Sequence, residues 1–482
     1  MTRIIGIFFC SKQFYKVGSN ETGSTEYNYF HGALSFLEIL RFSEKRFQIT
    51  KIFLTPMYYS ELMKHTGRNV YMVSGGVTKF AKATPEMDFR LRVKKAFDYA
   101  MDDVHLTLND IDGSVASYFA DHFQRQLMSG IMVQDYLGLT PKPSKRVEGG
   151  GATGGLAFQT GYEEIASGRM DTCAVYGFET MSHVNTWKGN EFIALASDTN
   201  FDYPVGGFYT GYYAMMAVRH MHEFGTTVEQ LAKVSVKNHR NAIHNPYAQS
   251  PMNLTVNDVR NSPMVAYPLT RLDVCTMSDG AAVSILASEE KAFEITDRPV
   301  LIKSIGTGTD TMRLSDRPMG KVPLLPNEKE SDYSGLKYPG VHSFRAGRTA
   351  AKEAYDGAGI TDPIEELDLI ELHDAYTSSE IQTYEDLGLC KYGEGGKFIE
   401  EGKSELKGKI PVNPSGGLLA SGHPVGATGI MQSVFMFWQL QRTVKKHFKD
   451  DYLQLNNPKR GLIHSHAGTG TYVTATIMEA VK

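Results

Sequence analysis

From residue 69 onward, apolar and polar positions switch repeatedly between the short period of buried strands and the 3.6-residue period of helices. Asn69-Val-Tyr-Met-Val-Ser reads as a first core strand, closed by a turn at Gly75-Gly76. Residues 89–107 carry a helical pattern, Ser114–Ala120 a strand and Gln124–Leu137 a second helix. The spacing of Leu156, Phe158, Tyr162 and Ile165 predicts a helix over 154–167, and residues 171–179 (DTCAVYGFE) follow as a buried strand. Between 188 and 265 the alternation stops, as expected of an inserted cap. It resumes with the central strand Ala281–Ala287 and passes a charged connection over Glu289–Arg298. From Val300 a second alternating series runs to the C-terminus, with strands expected over Leu367–Ile370 and 471–478. Such alternation implies an α/β architecture with largely buried sheets. Two halves of similar size, divided near residue 295, point to a duplicated unit.

Residues 1–62 sustain neither period and are rich in aromatic residues and lysine. They are read as an N-terminal extension, with Met63 as an alternative start. The expected organisation is therefore 1–62, then a first half over 63–294 holding the insert at about 188–265, then a second half over 295–482.

Composition narrows the class without choosing a function. At 482 residues the chain exceeds one average domain about threefold. It is 41% apolar and 22% charged, as globular proteins are, and 46 glycines imply many close backbone approaches. Fifty basic against 54 acidic residues leave a net charge of −4, so no basic excess points to nucleic acid or to an anionic membrane. No apolar run approaches the length of a membrane span, and the opening MTRIIGIFFCSK lacks the length and cleavage site of a signal peptide. Four cysteines without paired spacing fit a reducing, cytoplasmic setting.

Four Gly- or His-rich segments sit at strand ends. The first, Val147-Glu-Gly-Gly-Gly151-Ala-Thr-Gly-Gly155, opens the helix at 154–167 and points free N–H groups at a ligand. The second is Glu371-Leu-His373-Asp-Ala-Tyr376. The third is Asn413-Pro-Ser-Gly-Gly417, running into Ser421-Gly-His423-Pro-Val-Gly426-Ala-Thr-Gly429. The fourth is His464-Ser-His466-Ala-Gly468-Thr-Gly470. His464 and His466 would face one side of a strand, and with His373 or His423 they offer three imidazoles to a metal. One of the pair packs inward more naturally, and no metal is expected. His220 and His222 point apart on a helix. Gly306-Thr-Gly308 lacks the rest of a dinucleotide fingerprint.

Together these segments resemble the thiolase superfamily over roughly residues 69–482. NPSGGLLASGHPVGATG carries the resemblance, supported by GFETMS (177–182) and DVCTMSDGAA (273–282). His-Asp-Ala-Tyr, where biosynthetic thiolases carry Asn-Glu-Ala-Phe, is similar to the sterol-carrier-type and archaeal branch. The resemblance implies a duplicated five-layered α/β/α/β/α core, usually dimeric, with residues 188–265 as its loop domain. It also implies a coenzyme A thioester as substrate, with no bound cofactor.

One departure bears on mechanism. Thiolases carry their nucleophilic cysteine in V-E-x-x-C-A-S/T-G-G, and Gly151 stands at that position here, so an acyl-enzyme cannot form there. The second family cysteine, in C-x-G-G-G, aligns with His466, while Cys173, Cys275 and Cys390 are read as structural. His373 and His423 match the family's base and oxyanion-hole positions. Gly151, Gly426 and Gly468 supply backbone around the substrate. His466 is expected to exchange a proton near pH 7, and Tyr376 adds a phenol beside His373. The resemblance alone implies an acyl-CoA C-acyltransferase. The missing cysteine instead implies aldol or retro-aldol chemistry next to the thioester carbonyl, with a His or Tyr handling the β-hydroxyl proton. Thiolase-like aldolases of steroid side-chain degradation are a family precedent. A small OB-fold/zinc-ribbon subunit is the implied partner beside a homodimer, and a catalytically inactive acyl-CoA-binding subunit is the competing reading.

Overall fold

The computed structural model describes residues 37–41, 48–52, 67–317, 322–333 and 345–481. Met63 and most of the predicted extension lie outside these residues. Within the extension, β1 (Leu37–Arg41) and β2 (Gln48–Ile52) form an antiparallel pair, with Leu37 opposite Ile52 and Arg41 opposite Gln48.

The unit beginning at Gly67 is built on one mixed sheet. Its strands from the first half are β3 (Val70–Val77), β4 (Gly113–Ser117), β5 (Ser144–Val147) and β6 (Thr172–Thr180). After the small hairpin β7 (Met264–Ala266) and β8 (Leu269–Thr270) comes β9 (Asp279–Ser288). The second half adds β10 (Val300–Thr309), β11 (Leu369–Glu371), β12 (Arg460–Ala467) and β13 (Tyr472–Ala480). The nine strands of the sheet lie in the order β11-β12-β13-β10-β3-β9-β6-β4-β5. From the junction of β3 and β10 outward, both wings repeat one pattern of antiparallel, antiparallel and parallel neighbours. The expected duplication is therefore written into the strand pairing, with β5 extending the first wing.

Seven helices among the described residues have ten or more residues. They are α1 (Phe89–Asp103), α2 (Thr153–Ala166), α3 (Tyr209–Phe224), α4 (Val228–Ala242), α5 (Arg345–Ala358), α6 (Thr377–Asp386) and α7 (Val425–Gln441). The middle layer is α2 packed on α7, each touching strands of both wings. Every residue of α7 from Val425 to Leu440 is buried, as expected of a helix apolar on all sides. Helix α1 covers the outer face of the first wing and α5 that of the second, which completes five layers. No helix among the described residues is long and apolar enough to cross a membrane.

Three local expectations are corrected. Gly75 and Gly76 do not form a turn but lie inside β3. A Cβ on Gly76 would stand 2.1 Å from the Ala96 carbonyl of α1, and one on Gly75 would stand 2.8 Å from Val434 of α7. The pair thus lets helices approach both faces of a central strand. The predicted helix Gln124–Leu137 is two helices, Asp121–Gln124 and Ser129–Tyr136, separated by left-handed backbone at Arg125 (φ 53°) and Met128 (φ 58°). The charged connection after β9 contains a helix, Glu289–Ile295. The insert contributes no strand to the nine-stranded sheet; its main elements are α3 and α4, and the β7–β8 hairpin follows at its end.

Candidate functional site

Three loops and one strand end carry the predicted residues to a single place. Strand β11 ends at Glu371 and delivers His373 to the interior, with only 3% of its surface exposed. The turn before α7 carries His423, whose backbone N–H donates to the Thr276 carbonyl at 3.1 Å and so ties the turn to the segment leading into β9. Strand β12 carries His464 and His466 two residues apart, and both are buried. Gly151 lies in the short turn before α2. The His373 ring stands 4.8 Å from that of His423 and 4.3 Å from that of His466. The ring of His464 lies 5.5 Å behind His466.

A cavity of about 100 Å³ opens among these groups. Its polar wall is made by His373, His423, His466, Tyr213, Tyr376 and Cys275, and its apolar wall includes Phe119, Ile193 and Val425, with Gly151 and Gly468 contributing backbone. Gly426, predicted to belong to the substrate's surroundings, is not among the lining residues. It sits at the start of α7, donating its N–H to Glu179 Oε2 at 3.0 Å and accepting from Ser117 Oγ at 2.6 Å. A Cβ there would stand 2.5 Å from the Tyr118 Cα, so this glycine serves helix–sheet contact.

Burial controls the protonation of the imidazoles. It holds His423 down to about 4 and His464 to about 3, and it pushes His373 and His466 well below the ordinary histidine range. Neighbouring imidazoles add to the shift of His373 and His466. The expectation that His466 titrates near pH 7 is corrected on this ground, because the strand end that carries it is interior. Uncharged imidazoles still donate N–H hydrogen bonds, which is what a developing oxyanion needs. His423 Nδ1 pairs with Thr428 Oγ1 at 2.7 Å. When that hydroxyl donates to Nδ1, the imidazole proton resides on Nε2, the tautomer suited to an oxyanion. His466 Nε2 lies 2.6 Å from Tyr213 Oη, while His373 Nδ1 has no hydrogen-bond partner. Tyr376 stacks on Tyr213 at 4.2 Å and shares a 3.2 Å hydroxyl contact with Thr210.

Sequence reasoning missed Tyr213 and Tyr209, both on α3, and misread Cys275. The i, i+4 pair of tyrosines was visible, but nothing in the chain showed which face of α3 meets the site. Cys275 lies in the cavity wall, with its thiol pushed up to about 12 by burial. Glu179, within the GFETMS segment, is fully buried and raised to about 7 by burial. It accepts from the backbone of Phe119 at 2.8 Å and of Gly426 at 3.0 Å, so it fixes one wall of the cavity. Among the described residues no group of three His, Cys, Asp or Glu side chains is arranged to hold a metal ion.

Residues 70–290 match the family model described as the thiolase N-terminal domain, and residues 331–480 match the thiolase C-terminal domain-like model. An acetyl-CoA acetyltransferase of Methanothermobacter thermautotrophicus is 39% identical over 404 residues, covering 84% of this chain and 97% of that protein. Human sterol carrier protein 2 is 32% identical over 426 residues, covering 86% of this chain and 72% of that protein. Among solved structures, the Ltp2-ChsH2(DUF35) aldolase shares the fold with a TM-score of 0.68 at 24% identity, covering 86% of this chain and 98% of that one. Human mitochondrial 3-ketoacyl-CoA thiolase in complex with CoA does so with a TM-score of 0.62 at 15% identity, covering 86% and 98%.

Proposed function

The chain belongs to the thiolase superfamily, and from that premise we propose that it makes or breaks a carbon–carbon bond beside a CoA thioester without a cysteine acyl-enzyme. One observation carries the reading. Gly151, which the motif aligns with the family's nucleophilic cysteine, faces the imidazoles with no space for a side chain. A Cβ there would stand 2.5 Å from the His466 carbonyl oxygen and 3.3 Å from His373 Cε1. Cys275, the cysteine in the cavity wall, is held as a thiol and is therefore a poor nucleophile at neutral pH.

The remaining groups suit aldol-type chemistry. In the cleavage direction a base takes the proton of a β-hydroxyl, and the electron pair of the Cα–Cβ bond moves into the thioester. The β-carbon leaves as an aldehyde or ketone, and the resulting enolate is protonated at Cα. No oxidant or reductant is needed. His423 and His373 are the donors for the enolate oxygen, while His466 and Tyr376 stand on the same cavity for proton transfer. Addition follows the same path in reverse. One protein sharing the fold, the Ltp2-ChsH2(DUF35) aldolase, joins an aldolase with a DUF35 protein, and we extend to this chain a small OB-fold/zinc-ribbon partner beside a homodimer.

The test supplies 3-hydroxyacyl-CoA esters singly, without free CoA, and follows products by liquid chromatography and mass spectrometry. The expected result is a carbonyl compound with a matching shortened acyl-CoA. Cleavage of 3-ketoacyl-CoA only when free CoA is added contradicts the proposal. Tight ester binding with no turnover, with and without the partner, favours the inactive subunit.

A further inference from the structure

We propose that Tyr213, on α3 of the inserted segment, is a catalytic residue that forms a proton-carrying dyad with His466. The dyad rests on the aldol-type reading above. It replaces the choice between His466 and Tyr376 as the proton carrier with a specific route.

The geometry is that of one hydroxyl between two acceptors. Tyr213 is 2% exposed and lines the cavity, with its Oη 2.6 Å from His466 Nε2 and 2.8 Å from the Gly468 carbonyl oxygen. A phenol has one hydrogen, so it donates to one of these at a time. When His466 is neutral with its lone pair on Nε2, the phenol donates to the imidazole. When His466 carries a second proton, Nε2–H donates to Oη, and the phenol hydrogen turns to Gly468. The imidazole–phenol contact is kept in both states, and the charged state adds the phenol's bond to the Gly468 carbonyl with no heavy atom moving. A buried imidazole takes a proton at least cost when the charged form keeps its partners. Both ring nitrogens of His464, two residues away on the same strand, have no hydrogen-bond partner, so that imidazole lacks this provision.

Because Oη caps Nε2, a proton reaches His466 by that nitrogen only through the phenol. In the cleavage direction the β-hydroxyl hydrogen passes to Tyr213 Oη as the phenol hydrogen passes to His466 Nε2. The substrate alkoxide then collapses to a carbonyl, the Cα–Cβ pair becomes the enolate, and the same relay run backwards returns the proton to Cα. Protons and electrons balance within the site. Stacking on Tyr376 at 4.2 Å and 19° holds the phenol ring in place, so Tyr213→Phe removes the hydroxyl while keeping the ring contact.

The experiment compares the wild-type full chain with Tyr213→Phe and Tyr376→Phe, each with ¹⁵N-labelled histidine. For Tyr213→Phe the expected result is a changed ¹⁵N tautomer signature for His466 and a fall in kcat of about 10²-fold, with KM within about threefold. Tyr376→Phe, whose hydroxyl contacts Thr210 and not His466, is expected to leave the His466 signals in place. Unchanged His466 signals in Tyr213→Phe overturn the dyad whatever the turnover. So does an unchanged kcat in that variant when the wild type is active. A wild type that turns over no hydroxyacyl ester sinks the aldol reading itself, and the spectra then decide the dyad.

Discussion

His373 and Asp374 are neighbours in the chain and equally withdrawn from solvent, but their surroundings are opposite. The Asp374 carboxylate accepts from the backbone of Leu418 at 2.6 Å and Leu419 at 3.3 Å, and from Asn238 Nδ2 at 2.7 Å. Beneath it Glu380 accepts from Asn238 and Asn413 and pairs with Lys237 at 2.7 Å, all fully buried. Glu371 accepts from both the backbone and the hydroxyl of Ser415. His373 and His464, one layer above, leave ring nitrogens unpartnered. A layer whose carboxyl groups are held by several donors fixes geometry, whereas imidazoles with unpartnered nitrogens keep bonding capacity for a ligand. The carboxylate layer ties α4 and α6 to the loops that carry His373 and His423, so the inserted segment braces the site from below.

The largest effects should come from exchanging residues across that boundary. Asp374→Ala strands two backbone N–H groups and an amide in the interior, and is expected to cost about 3 kcal/mol or more of stability in urea unfolding. His373→Leu gives up no hydrogen bond from Nδ1 and is expected to shift stability by less than about 1.5 kcal/mol while abolishing turnover. Equal destabilisation by the two changes would erase the distinction between the layers.

Next in size is His423→Ala, expected to lower kcat about 10²–10³-fold, the usual loss for an oxyanion donor. Calorimetric binding of a CoA ester should change far less. Parallel losses in binding and turnover would mean that the turn itself has collapsed. Gly151→Ala comes third, because its Cβ meets a backbone carbonyl that has no freedom to retreat. An expected loss of about 1–3 kcal/mol, read from thermal unfolding, reflects this overpacking. Gly151→Cys meets the same wall, so simple restoration of the thiol is not expected to create a thiolase.

The mildest lever is pH. Four imidazoles (His373, His423, His464, His466) have folded pKa values below the ordinary histidine value, so they cost stability as pH falls from about 6.5 toward 4. Burial raises Glu179 and Glu371 to about 7 and Asp374 to about 8. These three bind protons better folded than unfolded, and so lose stability as pH rises from about 4.5 toward 8. Within the site these four groups oppose the other three, so their joint contribution to stability is expected to peak at about pH 6, read from denaturant midpoints across pH. A steady rise in stability to pH 8 would mean that the carboxyl layer is charged.

The alternating pattern made the two wings and the middle helices legible, because buried strands and helices leave distinct periods. The three site histidines were legible for a different reason: each lies in one of the short Gly- or His-rich segments that interrupt the alternating pattern. Tyr213 was not, since α3 belongs to an insert whose packing face depends on the second half. Nor was the burial of His466, because the pattern of β12 does not show that both His464 and His466 face protein. The layer formed by Asp374, Glu371 and Glu380 was not legible, because it depends on Lys237 and the 413–419 loop folding against them. Gly75-Gly76 was misread for a related reason, in that glycines admitting helices on both faces of a strand look in sequence like a turn.

The proposed bond making or breaking beside the thioester proceeds without a covalent acyl-enzyme. Its sharpest test is intact-mass spectrometry of the full chain, quenched during turnover of a 3-hydroxyacyl-CoA ester. A single species at the unmodified mass is expected while product accumulates. An acyl adduct that forms and decays at the rate of turnover, mapped to Cys275 or any other cysteine, would contradict it.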